Sequence, residues 1–306
     1  MDKHQKYLCC VDCQEKLRRV KKQYWCKKCG KQYYVKNGIF SCLDVLNGEK
    51  NFSKEKWDIF YKKYFSVKKC LGEFKKAKKE CGKTYNVWRR YAVFNKHKVY
   101  LEIGSGVFFM GNILSSDCKM VIGIDFSLPS LMAAKKVLDA RGVKNYILIH
   151  GDILKMPIKS KMVDVLYGGG VIEHFKDTTG CIKEYARVMK NRGVAINAVP
   201  YLNLAALTYR QNWGNIPDFP VIKQIAEFVH MKLLKGRHMY FGYELSFTKS
   251  KMKRLHNMFG FKKIKFARLE TKIYMCFLPK FVRPFMRKLA ENCSWFWPMM
   301  LVIAEK

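Results

Sequence analysis

Val99-Tyr-Leu-Glu-Ile-Gly-Ser-Gly106 is the segment of this 306-residue chain that best indicates its fold. Its first part, Val99 to Ile103, predicts a buried strand, and the apolar run Val107 to Leu114 predicts a helix directly after the turn. Glycines in such a turn let the backbone approach a ligand closely at the N-terminus of a helix. A single Gly-x-Gly is a weak signal by itself, so the segments that follow have to support it.

Strands and helices are predicted to alternate along the rest of this region. The further strands are predicted at residues 119–125, 146–149, 162–167 and 193–199, with helices at 128–141 and 177–190. This alternation indicates a doubly wound parallel α/β sheet. Asp125 ends the second strand, where a carboxylate can accept hydrogen bonds from both hydroxyls of a ribose. The alternative, that Asp125 and Asp152 are ordinary turn acids, is disfavoured because both follow strands at the edge where such sheets bind ligands.

Five ordered motifs in this region resemble one family of enzymes. They are Leu101-Glu-Ile-Gly-Ser-Gly106, Ile124-Asp125, Gly151-Asp-Ile-Leu-Lys-Met-Pro157, Val163-Asp-Val165 and Val171-Ile-Glu-His174. Together they are similar to the class I S-adenosylmethionine-dependent methyltransferases, close to the type-11 group, over about residues 97–200. The resemblance implies a Rossmann-like sheet, S-adenosylmethionine as cofactor and methyl transfer as activity.

The same resemblance assigns cofactor-binding residues. They would be Glu102, Gly104, Gly106, Asp125, Asp152, Ile153 and Gly170. Glu102 and the two loop glycines would line the methionine and ribose end, and Asp125 would hold the ribose hydroxyls. Asp152 and Ile153 would flank the adenine, with the carboxylate accepting from its amino group. The last glycine, with Val171, would form the wall near the sulfonium.

The glycine loop departs from the family pattern at one position. Family members often carry a third glycine two residues after the second, where this chain has Phe108, followed by Phe109. Phe108 would either narrow the cofactor cleft or reflect a shortened turn, and a blocked cleft would leave a non-catalytic binding protein on this fold. A nicotinamide enzyme fits less well, because Gly-x-Gly-x-x-Gly requires its third glycine at the position of Phe109.

His174 is the candidate catalytic residue. Methyl transfer from a sulfonium is an in-line displacement for which the protein mainly supplies positioning, so a base is needed only where the acceptor loses a proton. His174 follows the fourth predicted strand, and an ordinary histidine pKa of about 6.5 suits proton transfer. The alternative is that Glu173 and His174 cap the next helix or pack on the cofactor side.

Two pairs of cysteines near the N-terminus predict a metal site. Cys10-Val-Asp-Cys13 and Cys26-Lys-Lys-Cys29 are two C-x2-C pairs, and each such turn directs two thiolates at one point. Cys10, Cys13, Cys26 and Cys29 therefore predict a zinc ribbon whose Zn²⁺ is structural, because four thiolates leave no open position. Cys9 could replace Cys10 by a shift of register. Disulfides are the alternative, and no export signal supports them.

The net charge of +35 is unevenly distributed. With 27 basic and 9 acidic residues, positions 1–99 carry +18, whereas positions 100–199 carry +4 and positions 200–306 carry +13. The two basic flanks suggest attraction to RNA or to an anionic membrane surface. Only 13 of the 59 basic residues are arginines, the better readers of phosphates and bases, so a solvated lysine-rich surface is an equal alternative.

The flanks also define the expected domains. Residues 1–48 would form the zinc ribbon, residues 49–96 a helical linker and cap, and residues 97–306 the methyltransferase domain. Within the linker, helical spacing over 53–95 is expected to break at Gly72 and Gly82. Residues 200–243 are too long for an ordinary connection, so they predict a helical insertion that covers the active site and selects the acceptor. The next helix is expected from Glu244, and a last strand from Met299.

Three functions remain open at this point. The first is methylation of a small-molecule or lipid-like acceptor beneath the insertion. The second is methylation of RNA, because the zinc ribbon resembles the tip of ribosomal-RNA guanine methyltransferases. The third is the non-catalytic binding protein. The longest apolar run, Trp295 to Ala304, is shorter than the roughly 20 residues that cross a bilayer, so we expect no transmembrane helix and a cytoplasmic protein, with peripheral membrane contact as an option.

Overall fold

The computed structural model describes residues 2–21, 23–44, 48–205, 214–239, 241–269 and 278–306. The expected domain boundary at residue 48 and the expected insertion at 200–243 therefore fall partly outside the described residues. No helix within these ranges is both long enough and apolar enough to span a lipid bilayer.

Most strands are short apolar runs with at least one buried face. The strands are β1 (Leu17–Val20), β2 (Gln23–Cys26), β3 (Gln32–Lys36), β4 (Ile39–Ser41), β5 (Val99–Ile103), β6 (Met120–Asp125), β7 (Tyr146–His150), β8 (Val163–Gly169), β9 (Met189–Pro200), β10 (Ile216–Pro217), β11 (Leu245–Ser246), β12 (Lys262–Arg268) and β13 (Met299–Glu305). The helices are α1 (Lys3–Tyr7), α2 (Gly48–Tyr64), α3 (Cys70–Trp88), α4 (Phe109–Leu114), α5 (Leu128–Ala140), α6 (Thr178–Val188), α7 (Pro220–Glu227), α8 (Lys249–Met258) and α9 (Arg283–Asn292).

The predicted doubly wound sheet is confirmed. Among the described residues, strands β7-β6-β5-β8-β9 are neighbours and run parallel, with β13 antiparallel to β9 and β12 antiparallel to β13. All five residues of β5 and all six of β6 are buried, as expected for central strands covered on both faces. The carboxyl ends of the parallel strands meet at one edge, and this edge positions the candidate site.

The N-terminal ribbon continues this sheet. Strands β1 to β4 form an antiparallel meander, and β4 pairs in parallel with β7 through Ile39↔Leu148, Phe40↔Ile149 and Ser41↔His150. Tyr24 and Tyr33 pack on Phe40 beneath the meander, with ring centroids 5.9 and 5.4 Å from the Phe40 ring. Backbone hydrogen bonds thus join the ribbon to strand β7 of the parallel sheet.

Three expected helix boundaries, at Gly72, Gly82 and Glu244, are wrong. Gly72 and Gly82 both lie inside α3, and the chain breaks earlier, at residues 65–69, where the Ser66 carbonyl accepts from the amides of Lys69 and Cys70. A helical glycine costs about 1 kcal/mol relative to alanine, and burial of residues of α3 such as Trp88 offsets that cost. The helix expected from Glu244 begins at Lys249, because residues 245–246 pair with β10 first.

Candidate functional site

Two loop glycines form a cradle at the end of β5. Gly104 and Gly106 have φ angles of +53° and +51°, which L side chains rarely adopt. A Cβ atom at Gly104 would lie 2.5 Å from Cγ2 of Val171, and a Cβ atom at Gly106 would overlap the hydroxyl of Tyr61. The loop therefore requires glycine for its backbone conformation and for the space in front of it.

Asp125 lies at the centre of this edge. Its carboxylate accepts hydrogen bonds from the amides of Gly106 and Ser127, each at 2.7 Å, and it lines a small pocket. Burial raises the pKa of Asp125 to about 6, against the opposing effect of these two amides, so the group is ionised at neutral pH. An anionic acceptor facing a glycine cradle is suited to hydroxyl groups of a ligand.

Glu102 lies beside the pocket but does not line it. One carboxyl oxygen accepts from the hydroxyl of Tyr100 and from the amide of Gly111, both at 3.0 Å. Burial raises the pKa of Glu102 to about 8, so the carboxyl is largely protonated at neutral pH. In this structure Glu102 of β5 binds the backbone of α4 through the amide of Gly111. Its contact with the methionine end of the cofactor stays a prediction.

The structure places the ring of Phe108 in the core. Phe108 has a φ of +54°, and its fully buried ring lies against Gly111 and Gly123, where added Cβ atoms would overlap or crowd it. The expected narrowing of the cleft by this side chain is therefore not observed among the residues that line the pocket. The glycines at 111 and 123 make room for the ring instead.

Asp152 and Ile153 follow β7 as expected, but neither lines the pocket. Asp152 caps a short 3-10 turn by accepting from the amide of Leu154 at 2.9 Å, and Ile153 is buried behind it. The other oxygen of Asp152 accepts from Lys50 of α2 at 2.6 Å. Lys50 is a site residue that sequence reasoning missed, because a lysine in a lysine-rich helix carries no distinguishing signal.

Helix α2 lies across the mouth of the cradle. Trp57 and Tyr61 both line the pocket and stack on each other with ring centroids 5.6 Å apart, and Asp58 accepts from the hydroxyl of Ser127. The space left between them and the sheet is about 60 Å³, enough for a few water molecules. The helical spacing over residues 53–95 predicts the helix that carries these two side chains, but it does not predict that the helix crosses the cradle.

His174 also lines the pocket, together with Gly170 and Val171. Its Nδ1 donates to the carbonyl of Tyr243 at 2.6 Å, which fixes the tautomer and leaves Nε2 as an acceptor. Burial lowers the pKa of His174 to about 4, so the ring is neutral at physiological pH. The alternative that this histidine caps the next helix is excluded, because Asp177 caps α6 by accepting from the amide of Gly180.

The four predicted zinc ligands converge. Their Sγ atoms all lie within 4.8 Å of one another, with 3.4 Å between Cys10 and Cys29 and 3.3 Å between Cys13 and Cys26. These distances are near those of four sulfurs held about 2.3 Å from one tetrahedral ion. Cys9 does not join them, because its thiol donates to Gln14, so the register with Cys10 is the one that the structure adopts.

Comparisons with known proteins agree with this fold. Residues 101–197 match the family described as a methyltransferase domain. A demethylmenaquinone methyltransferase of Geobacillus stearothermophilus is 32% identical over 76 residues, which is 25% of this chain and 32% of that protein. The chain thus spans about a third of the length of this curated relative.

Two solved structures share the fold at low identity. One, from a complex between the Haloferax volcanii Trm112 methyltransferase activator and a putative methyltransferase, has a TM-score of 0.54 at 14% identity and covers 83% of this chain and 96% of its own. The other, Haemonchus contortus phosphoethanolamine N-methyltransferase 2 with phosphomonomethylethanolamine and S-adenosylhomocysteine, has a TM-score of 0.50 at 13% identity, over 74% of this chain and 52% of its own.

The fold and the family match together identify the kind of domain that this chain contains. The sheet order is that of a Rossmann-like α/β domain, and the glycine cradle and the acid after β6 lie at the carboxyl edge where such sheets bind ligands. The chain carries a class I S-adenosylmethionine-dependent methyltransferase domain, and residues 101–197 are the part that the family match covers.

Proposed function

We propose that this protein transfers a methyl group from S-adenosylmethionine to a small-molecule or lipid-like acceptor. The observation that carries this proposal is the make-up of the wall opposite the glycine cradle. There Trp57 stacks on Phe241 with ring centroids 5.0 Å apart and meets the edge of the His174 ring at 6.0 Å. Two apolar rings and a neutral imidazole suit an acceptor with an apolar body and one polar group.

The residues at the glycine cradle fit the cofactor. Gly104 and Gly106 leave the space that side chains would fill, and the buried carboxylate of Asp125 offers the acceptor that ribose hydroxyls require. When bound, S-adenosylmethionine supplies an electrophilic methyl group. Because about 60 Å³ is open beneath α2, Trp57 and Tyr61 have to move for a nucleoside to enter.

His174 would orient the acceptor. With Nδ1 donating to the Tyr243 carbonyl, Nε2 can accept a hydrogen bond from a hydroxyl or amine of the acceptor. A histidine whose pKa is lowered to about 4 is a weak base, so positioning is its main contribution. Proton removal through Nε2 would matter only for acceptors that lose their proton readily.

We also propose that Cys10, Cys13, Cys26 and Cys29 hold a structural Zn²⁺. The four sulfurs are close enough to share one ion, and four thiolates leave no position for a substrate. The ion would fix the ribbon that extends the sheet beside β7. The domain boundaries at residues 48 and 96 and a cytoplasmic location remain part of this proposal.

RNA is the second candidate acceptor, and one observation favours it. The outer face of the ribbon exposes Trp25 and Tyr34, and Arg18 pairs across from Trp25 on the same face. Exposed aromatic rings beside a guanidinium can stack on unpaired bases. This face is formed by the ribbon, so RNA binding would depend on Trp25 but not on Trp57.

A radiolabelled-methyl assay tests these proposals. Labelled S-adenosylmethionine is supplied to the full chain with fractionated lysate, and label is counted in lipid, small-molecule and RNA pools. We expect label in the lipid or small-molecule pool, incorporated about two- to tenfold more slowly by Trp57→Ala and at an unchanged rate by Trp25→Ala. Label in the RNA pool that is reduced by Trp25→Ala and unchanged by Trp57→Ala would support RNA as the acceptor. No binding of S-adenosylmethionine by calorimetry would contradict both and leave a non-catalytic binding protein.

A further inference from the structure

An apolar segment of the insertion faces outward. Helix α7 and the π-helical turn Phe228–Leu233 that continues it bury none of their residues. Val221, Ile222, Ile225, Phe228 and Leu233 are between 52% and 70% exposed. A surface helix normally turns such side chains toward the core, so this exposure needs a partner or another cause.

Two charged side chains of the same segment contact the body of the protein. Lys223 pairs with Asp218 at 3.4 Å, and Glu227 accepts from the hydroxyl of Tyr243 at 2.6 Å. Residues 221, 225 and 228 follow the three-four spacing of one helical face, away from these polar contacts. The helix is thus held in place through its polar side while its apolar side stays free of contacts that would bury it.

A group of basic side chains follows directly. Lys232, Lys235 and Arg237 are exposed, and the ion pairs found among the described residues include none of them. A cationic border beside an apolar face complements a surface that is apolar inside and negatively charged outside.

The same combination occurs a second time in the chain. Phe281, Phe285 and Leu289 are exposed and lie four residues apart along and just before α9, where Arg287 and Lys288 are also exposed. Two separate segments with one chemistry indicate one kind of partner. In the first segment four of the five exposed apolar side chains, Val221, Ile222, Ile225 and Leu233, have no ring to stack on a base, which argues against RNA as its partner.

We propose that the apolar face of residues 221–233, with its basic border, docks on the surface of an anionic lipid bilayer. The helix would lie in the plane of the interface, with its aliphatic side chains among the acyl chains and Lys232, Lys235 and Arg237 among anionic headgroups. This proposal stands on exposure, orientation and charge, and it requires no assumption about the reaction.

The docking surface is connected to the pocket through one residue. The Tyr243 hydroxyl donates to Glu227 of α7, and the Tyr243 carbonyl accepts from Nδ1 of His174. A bilayer bound at α7 would therefore lie next to the acceptor wall, and a lipid-like acceptor could reach it without complete transfer through water. This consequence, unlike docking itself, rests on the proposed function.

Vesicle sedimentation of the full chain tests the docking. The vesicles contain equal parts of phosphatidylcholine and phosphatidylglycerol, or phosphatidylcholine alone. We expect binding to the anionic vesicles, weakened about tenfold or more by the combined change Ile222→Ser, Ile225→Ser and Phe228→Ser. Reversing the charges by Lys232→Glu, Lys235→Glu and Arg237→Glu should reduce it similarly, and only for anionic vesicles.

Val93→Ser with Met258→Ser is the matched control, because these side chains are equally exposed but lie outside the segment. The control should bind vesicles like the unchanged chain. The proposal is overturned if the unchanged chain stays in the supernatant, if the serine variant binds equally well, or if ultracentrifugation shows that this face joins two copies of the chain. Vesicle binding without methylation of any lipid would contradict the lipid acceptor and leave the docking in place.

Discussion

The two walls of the pocket are built in different ways. The glycine wall is made by Gly104, Gly106 and Asp125, which come from one continuous stretch of chain and act through backbone conformation and one carboxylate. The aromatic wall is made by Trp57 of α2 and His174 of the turn after β8, and Phe241 of the insertion supports it by stacking on Trp57. The first wall depends on local geometry, whereas the second depends on packing between distant segments.

The two walls differ in how readily substitutions can change them. A backbone wall tolerates few changes, because a Cβ atom at either glycine would overlap a neighbour. A wall of side chains can be rebuilt by substitution at separate places in the chain. We therefore attribute cofactor binding to the glycine wall and choice of acceptor to the aromatic wall, and the following changes test that division.

Removing zinc should have the largest effect. Binding of a structural Zn²⁺ ion contributes about 10–16 kcal/mol of apparent free energy to the folding of small zinc domains. Chelation should therefore abolish hydrogen-exchange protection of residues 17–41 and lower it at residues 146–150, because β4 pairs with β7. Protection of β8 should persist. Unchanged hydrogen exchange at residues 146–150 would show that the glycine wall is independent of the ribbon. A folded chain that is purified with zinc available and yet contains no zinc would contradict the metal site.

Asp125→Ala should weaken cofactor binding by about ten- to hundredfold, since hydrogen bonds to a charged group contribute about 1.5–3 kcal/mol. Calorimetry with S-adenosylmethionine measures the change. Asp44→Ala, at an exposed carboxylate of the ribbon, is the control and should leave the affinity unchanged. An unaltered dissociation constant for a folded Asp125→Ala chain would refute the ribose role.

Glu102 should make stability depend on pH. Because its pKa is raised from an ordinary value near 4.5 to about 8, the folded state binds the proton more tightly than the unfolded state. Its contribution is fully present below pH 4.5 and is lost as the pH rises toward 8, by at most about 1.4 kcal/mol per unit. In denaturant titrations at several pH values, the free energy of unfolding should depend less on pH in Glu102→Gln than in the exposed control Glu80→Gln. The same pH dependence in both variants would show that Glu102 is not the group that takes up the proton.

Trp57→Ala should affect the aromatic wall and spare the glycine wall. Loss of stacking on Phe241 and of the contact with His174 should lower kcat/KM for the acceptor about two- to tenfold. The exposed neighbour on the same helix, Ile59, provides the control Ile59→Ala. A larger effect on cofactor affinity than on the acceptor would break the proposed division of roles.

Phe108→Leu should have the smallest effect on binding. The ring lies in the core beneath Gly111, so its shortening should change the affinity for S-adenosylmethionine by no more than about twofold. The unfolding midpoint should fall at the same time, because a cavity is left. Much tighter cofactor binding by this variant would mean that the ring obstructs the cleft after all.

The sequence was most informative where structure is local. The strand, the glycine turn and Asp125 lie within one supersecondary unit, so spacing alone predicted their arrangement. The cysteine pairs were predicted for the same reason. Lys50, Trp57 and Tyr61 were missed because their roles arise only when α2 crosses the carboxyl edge of the sheet. For Phe108, the sequence shows the departure from the family pattern, but it does not show that the ring turns into the core and away from the cleft.

The outermost strands of the sheet give the basic residues a further meaning. Among the strands that the structure describes, β1 forms one edge and presents Arg18 and Arg19, and β12 forms the other edge and presents Lys262, Lys263 and Lys265. An unpaired edge is a template for pairing with another chain, and positive charge on it makes two copies repel each other. Part of the charge of this protein therefore protects it from aggregation, whatever it binds.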